Sequence, residues 1–277
     1  MANLSSGSSS DMPAAAVAAR PAAPVAAAPS TKVQVVDNPV VVMKRYELKY
    51  IITAEQEAYF RRAIEGRMQP DRFGLTSIGS LYYDTPEYRL ITRSIEKPEF
   101  KEKMRVRSYG LATDTTPVFL ELKRKAYGIV YKRRVQSTLP QVKKFFDKAG
   151  DICGGGQIND ELTYFRDLYG ELAPACLVIY DRTAFFEPGG DLRLTIDNAP
   201  RYRVEDLDLT VSMEGELLLP EGNSVLEIKV QEAMPLWLTA ILDKGKIYKG
   251  SFSKVGEAYK KQAIENIRSA AGGLYYV

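Results

Sequence analysis

The 277-residue sequence predicts an α+β fold, an antiparallel β-domain whose strands carry helices on their apolar face. Short segments with period-two alternation recur between Glu47 and Lys229, each bounded by turn residues. Amphipathic stretches with apolar residues at helical spacing lie between them. The polar positions of the strands are also alike. Across residues 103–108, Arg105 and Arg107 fall on one face while Met104 and Val106 fall on the other. The pattern returns at Glu47/Lys49, Glu121/Lys123, Lys132/Arg134, Tyr180/Arg182, Arg193/Thr195/Asp197 and Glu227/Lys229.

Residues 1–38 are Ser, Ala and Pro with almost no large apolar side chains, so burial cannot offset their ordering entropy; they are expected to form a disordered tail before a domain over residues 39–270. The first strand is expected over 40–52. Thr53 with Gln56 makes a capping-box pattern, and Phe60, Ile64 and Met68 give the next helix an apolar stripe ending at Pro70. Residues 77–84 read as a strand closed by the turn Asp84-Thr85-Pro86, which has no catalytic role. Strands over 103–110, 118–125 and 129–139 form a meander, the last two joined at Tyr127-Gly128. Pro140 opens a helix with Val142, Phe145 and Phe146 on one side, and Asn159 is the expected N-cap of another that runs to Gly170. Strands over 175–186, 192–198, 210–214 and 224–230 bring the count to roughly eight. Pro235 opens a short helix holding Trp237, a core residue, and Ser253 caps a last helix carrying Val255, Tyr259 and Ile267.

Composition removes whole classes of function. A formal charge of +3 and a pI near 8.6 are too mild for a nucleic-acid partner, which calls for a strongly basic domain or patch. The absence of histidine excludes serine–histidine hydrolysis, phosphohistidine transfer and most zinc sites. Cys153 and Cys176 alone build neither a disulfide framework nor a thiolate metal site, so a reducing, cytoplasmic location is expected. No apolar run is long enough to span a membrane, and prolines break the Ala-rich stretch over 14–28. Chemistry must then come from carboxylates, Lys, Arg, hydroxyls and hard cations.

The polar strand faces hold nine cations (Lys49, Arg105, Arg107, Lys123, Lys132, Arg134, Arg182, Arg193 and Lys229) against four acids, Glu47, Glu121, Asp197 and Glu227. A solvated sheet face mixes charges so that like charges do not meet across strands. At ~4 Å and an effective dielectric of about 20, each unit-charge pair exchanges ~4 kcal/mol, so gathering these cations calls for an anion. Arg forks and Lys point charges spread along a channel suit a chain of phosphates better than one carboxylate. Oxygen ligands beside phosphates are the usual way to hold Mg²⁺ or Mn²⁺. Asp197 is expected to be structural, closing a turn before Pro200, and Glu121 is equally readable as a salt-bridge partner or a ligand.

Six segments in this order, RYELK (45–49), LYYDTP (81–86), MRVR (104–107), LELK (120–123), RLTID (193–197) and LEIK (226–229), resemble the triphosphate tunnel metalloenzymes, or CYTH superfamily. YDR (180–182) and GSFSK (250–254) resemble more narrowly the polyphosphate-polymerase (VTC) domain of the vacuolar transporter chaperone complex and its bacterial relatives. The resemblance spans about residues 40–260. It implies an eight-stranded antiparallel β-barrel tunnel with a polar, cationic lumen and helices outside, in which ATP donates its γ-phosphate to a growing inorganic polyphosphate chain. Under it Lys49, Arg105, Arg107, Lys123, Arg182, Arg193 and Lys254 are catalytic; Lys132, Arg134, Tyr180, Lys229 and Ser253 bind substrate; and Glu227 with Glu47 holds Mn²⁺ or Mg²⁺. Ser253 and Lys254 also open a helix, whose free N–H groups attract phosphate. The superfamily signature is Glu-x-Glu-x-Lys, and here Arg45 replaces the first Glu, which disfavours two-metal hydrolysis. A tunnel triphosphatase and a non-catalytic polyphosphate-binding module are the alternatives.

Overall fold

The structure, a computed structural model, describes residues 46–96, 98–127 and 129–272, with side chains up to residue 267. The tail, residues 40–45 of the expected first strand, Gly128 and the last five residues, 273–277, lie outside the described residues.

Strand β1 (Tyr46–Ile52) runs into α1 (Ala54–Ala63) through the capping box anticipated: Gln56 N donates to Thr53 Oγ1 at 3.2 Å and Thr53 N donates to Gln56 Oε1 at 3.0 Å. After the short β2 (Gln69–Pro70) comes β3 (Thr76–Asp84), and then a helix the sequence reading omitted, α2 (Arg89–Ile95). Asp84 explains it. Its buried carboxylate accepts from the N–H groups of Thr85, Leu90 and Ile91, at 2.8, 2.8 and 2.9 Å, so a residue expected only to end a turn also satisfies a helix start. The meander follows as β4 (Phe100–Tyr109), β5 (Val118–Ala126) and β6 (Ile129–Ser137), and Pro140 sits inside the first turn of α3 (Leu139–Phe146).

Helix α4 (Gln157–Tyr169) starts three residues earlier than expected. Gly156, the last of three glycines at positive φ, caps it, and Asn159 instead lies inside, accepting from Ile152 N at 3.2 Å. Strands β7 (Ala173–Phe186) and β8 (Arg193–Arg203) follow, the latter running past Asn198 and Pro200, where the sequence suggested a turn. Residues 210–214, expected as a strand, fold into turns because Asp208 Oδ1 and Ser212 Oγ accept from nearby backbone N–H groups; the short β9 (Glu216–Leu217) pairs with β8 instead. β10 (Ser224–Val230) has the predicted limits. It leads to α5 (Leu236–Lys244), a two-residue β11 (Lys249–Gly250) and α6 (Lys254–Gly272).

All eleven strands join one antiparallel sheet with the path β11-β1-β10-β8-β7-β3-β4-β5-β6, from which β2 and β9 branch. Eight of them have seven or more residues, and these correspond to the expected strands other than residues 210–214. The expected closed eight-stranded barrel is corrected: no ladder joins β6 to β11 or β1 among the described residues. The outer edge of β6 carries exposed Ile129, Val130 and Tyr131 followed by Lys132, Arg133 and Arg134, and such edge charges discourage further strand pairing.

Two apolar clusters cover the convex face. Met104, Val106, Leu120 and Leu122 pack beneath Phe145 of α3 and Leu162 and Phe165 of α4. Ile52, Leu194, Leu226 and Ile228 pack beneath Phe60 of α1 and Leu238 of α5. Each such fully buried side chain is worth ~1.5–3 kcal/mol relative to exposure. A third cluster lies on the concave face, where Ile78, Val178, Tyr202 and Val225 meet Phe252, Val255 and Ala258 at the start of α6. The polar faces are therefore apolar over part of their length, and α6 is packed into the trough rather than outside it. No helix among the described residues is long and apolar enough to cross a membrane.

Candidate functional site

Glu47 of β1 and Lys123 of β5 are six strand steps apart along the sheet, roughly 29 Å if it were flat at about 4.8 Å per step. Their side chains meet at 3.5 Å. The sheet thus curls until its two ends face each other across a trough, and the charged residues line the concave side.

On one wall the β4–β5–β6 register places Arg105 opposite Glu121 and Glu121 opposite Arg134, with Lys103, Lys123 and Lys132 in the next row. Glu121 is 1% exposed and is the hub. It accepts from Arg105 Nε at 2.8 Å and lies 2.7 Å from Lys132 Nζ, 3.4 Å from Arg134 Nε and 3.9 Å from Arg107 Nε. Burial opposes its charge, but Arg105, Arg107 and Lys132 outweigh that and hold the carboxyl far below the usual range. Arg105 also donates to Tyr82 Oη at 2.9 Å, and Arg107 donates to Tyr180 Oη at 3.2 Å. Arg107 Nε is buried with no hydrogen-bond partner among the described residues, a donor left available for a ligand.

The other wall is organised by three acids. Asp197, fully buried in the middle of β8 and not at a turn, accepts both arms of Arg182, at 2.6 and 2.8 Å, and Lys254 Nζ at 2.5 Å. Tyr180 lies beneath both cations, with Lys254 Nζ 4.5 Å and the Arg182 guanidinium 5.0 Å from its ring centre. Glu227 of β10 contacts Lys229 at 2.7 Å and Lys49 at 3.7 Å, while Glu47 contacts Lys49 at 3.3 Å. The lysines hold the Glu227 carboxyl well below its usual range despite burial.

Of the anticipated residues, Lys49, Arg105, Arg107, Lys123, Lys132, Arg134, Tyr180, Arg182, Lys229, Ser253 and Lys254 thus share the trough with Glu47 and Glu227. Arg193 is the register partner of Lys229 and faces the same side, but among the described residues it forms no ion pair with the trough acids. It is exposed at the start of β8 and donates to the carbonyl oxygens of Gly190 and Leu192. The sequence reading passed over Lys103, on the same face two residues before Arg105, and Tyr82, whose register partner is Arg105. Period-two alternation was signal enough for Lys103.

The family model described as VTC domain matches residues 44–262. The chain belongs to the VTC domain family. No curated protein matches it significantly in sequence. Among solved structures, this VTC domain is similar to a candidate adenylate cyclase from Vibrio parahaemolyticus, at 11% identity and a TM-score of 0.44, over 78% of this chain and 98% of that one. A candidate adenylate cyclase from Bacillus halodurans aligns at 16% identity and a TM-score of 0.44, over 76% and 96% of the two chains. A candidate adenylyl cyclase from Hippeastrum with a dominant triphosphatase activity aligns at 13% identity and 0.46, over 76% and 92%. At such scores these are likenesses only, and the family assignment rests on the VTC match.

Whether this VTC domain can hold a divalent cation turns on its donors. Among the described residues no group of three His, Cys, Asp or Glu comes together. Glu47 and Glu227 do share one lysine, and their oxygens suit Mg²⁺ or Mn²⁺ provided substrate phosphates complete the shell. Glu121 and Asp197 are committed to guanidinium and ammonium partners and do not fit the role.

Proposed function

We propose that this VTC domain is a polyphosphate polymerase, which transfers the γ-phosphate of ATP to the end of an inorganic polyphosphate chain lying in the trough. The observation that carries the reading is the concave row Lys103, Arg105 and Arg107, continued across the sheet by Lys123, Lys132, Arg134, Lys49, Lys229, Arg182 and Lys254. Cations spaced about 6.6 Å along a strand and about 4.8 Å between strands offer repeated contacts to a repeating anion.

Phosphoryl transfer needs positioning and charge stabilisation more than covalent help, which suits a site without histidine. A terminal oxygen of the acceptor chain attacks the γ-phosphorus, the bridge to the β-phosphate breaks, and ADP leaves. Arg105 and Arg107, steadied by Glu121, Tyr82 and Tyr180, present guanidinium forks without first ordering themselves. Lys254 and Arg182 are fixed likewise by Asp197. Glu227 and Glu47 would hold a Mn²⁺ or Mg²⁺, which when bound neutralises charge on the phosphate oxygens. An ATP-supplied, reducing compartment such as the cytoplasm suits this reaction.

The test is incubation of the protein with ATP and Mn²⁺ or Mg²⁺, with sizing of the products. ADP and a ladder of long phosphate chains are expected. Orthophosphate alone would make the protein a triphosphatase, and binding without turnover would make it a binding module.

A further inference from the structure

Nearly every cation of the trough already has an acid. Glu47 and Glu227 serve Lys49, Lys123 and Lys229; Glu121 serves Arg105, Arg107, Lys132 and Arg134; Asp197 serves Arg182 and Lys254. Lys103 differs. Among the described residues its ammonium forms no ion pair and bonds only a hydroxyl, Ser253 Oγ at 3.2 Å. Like charges surround it. Lys123 is its register partner on β5, Lys101 and Arg105 flank it on β4, and Lys49 faces it from β1. Tyr82, Asp84, Tyr88 and Tyr259 line the small cavity beside it, and Asp84 turns its carboxylate to backbone N–H groups.

Ser253 is equally unfinished. Its oxygen accepts from Lys103 and from Gly256 N, at 3.3 Å, so the hydroxyl hydrogen is not used by either bond. The pair stands at the start of α6, a helix terminus whose dipole favours an anion.

We propose that Lys103 and Ser253 form a subsite for one phosphate group of the substrate chain, at which Lys103 supplies the cation that no carboxylate among the described residues neutralises. This rests on the polyphosphate reading and adds a residue to it. Burial, then the four neighbouring cations, pull the Lys103 ammonium down to about 7, so near neutral pH the empty subsite is partly deprotonated. A bound phosphate supplies the missing counter-charge and restores the proton. Substrate binding is therefore coupled to proton uptake through Lys103. Lys132 is lowered too, to about 8, but it already faces Glu121 at 2.7 Å, so its gain on binding is smaller.

The experiment is calorimetric titration of the full chain with inorganic tripolyphosphate, metal-free at pH 8, in two buffers of different ionisation heat. The comparison is between the parent, Lys103→Met and Lys103→Arg. Arg stays protonated throughout, so Lys103→Arg should bind within about threefold of the parent while taking up about one proton fewer. Lys103→Met should lose about tenfold or more in affinity and melt no lower than the parent, since it removes an uncompensated charge. Equal proton uptake by the parent and Lys103→Arg, unweakened binding by Lys103→Met, or its marked unfolding would each overturn the subsite. Linked binding in a protein that makes no polyphosphate would leave the subsite standing and remove the polymerase reading. A parent that binds no tripolyphosphate would remove both.

Discussion

The two walls of the trough use the same side chains to different ends. On the β4–β5–β6 wall a single buried carboxylate, Glu121, gathers four cations; on the β1–β10 wall Glu47 and Glu227 hold Lys49 between them, with Lys123 on Glu47 and Lys229 on Glu227. The Glu121 side chain is 2% exposed and that of Glu47 is 31% exposed. A buried acid that cannot leave its partners acts as a fixed counter-ion, whereas acids that share lysines can exchange an ammonium for a metal when phosphate arrives to take up the lysine. The difference separates cation positioning on one wall from metal holding on the other.

The largest effect should come from acid. Glu121, Glu227 and Asp197 each have a folded pKa below the ordinary carboxylate value, so each contributes stability that is complete above about pH 4.5 and is lost as pH falls below it. Melting temperature followed from pH 7 to 2 should drop steeply over the acid limb, and Glu121→Gln and Glu227→Gln should each flatten it. An acid limb unchanged in Glu121→Gln would show that its four cations do not hold the carboxylate.

Next in size is Glu121→Gln at neutral pH. Removing one partner of a buried ionic cluster leaves Arg105, Arg107, Lys132 and Arg134 uncompensated, at a cost of about 3–5 kcal/mol measurable by denaturant titration. Tripolyphosphate should recover part of it by supplying the lost charge. A loss under about 1 kcal/mol would show that the four cations do not depend on Glu121.

Arg105→Ala should lower turnover on the order of 10²-fold, as expected for loss of one charge-stabilising donor, with little change in melting temperature because three cations remain on Glu121. Marked unfolding would make Arg105 structural.

The smallest effects set the metal wall against the helix. Glu227→Gln should cost less stability than Glu121→Gln, because it leaves two partly exposed lysines rather than four cations without their acid, yet move the Mn²⁺ or Mg²⁺ midpoint of turnover upward. Lys254→Ala should lower turnover and leave the metal midpoint in place. An unmoved midpoint in Glu227→Gln would pass the metal to Glu47.

The strands, their faces and most helix starts were determined by the sequence itself, because period-two alternation, capping boxes and Pro at a first turn are local signals that each segment carries alone. The limits of β10, the Thr53–Gln56 cap and the face shared by Arg105 and Arg107 came out as the residues implied. Elsewhere local chemistry was misread: Asn159 suits an N-cap, yet three glycines set the helix start before it. Tertiary structure alone decided which acid meets which cation, since Glu121 becomes a hub only once β4, β5 and β6 are in register and Asp197 a clamp only once β7, β8 and α6 meet. It decided too that the curled sheet stays open at β6, that Arg193 is left at its edge, and that α6 enters the trough. These outcomes depend on residues far apart in the chain, and charge pairing across a curved sheet leaves no period in the sequence to read.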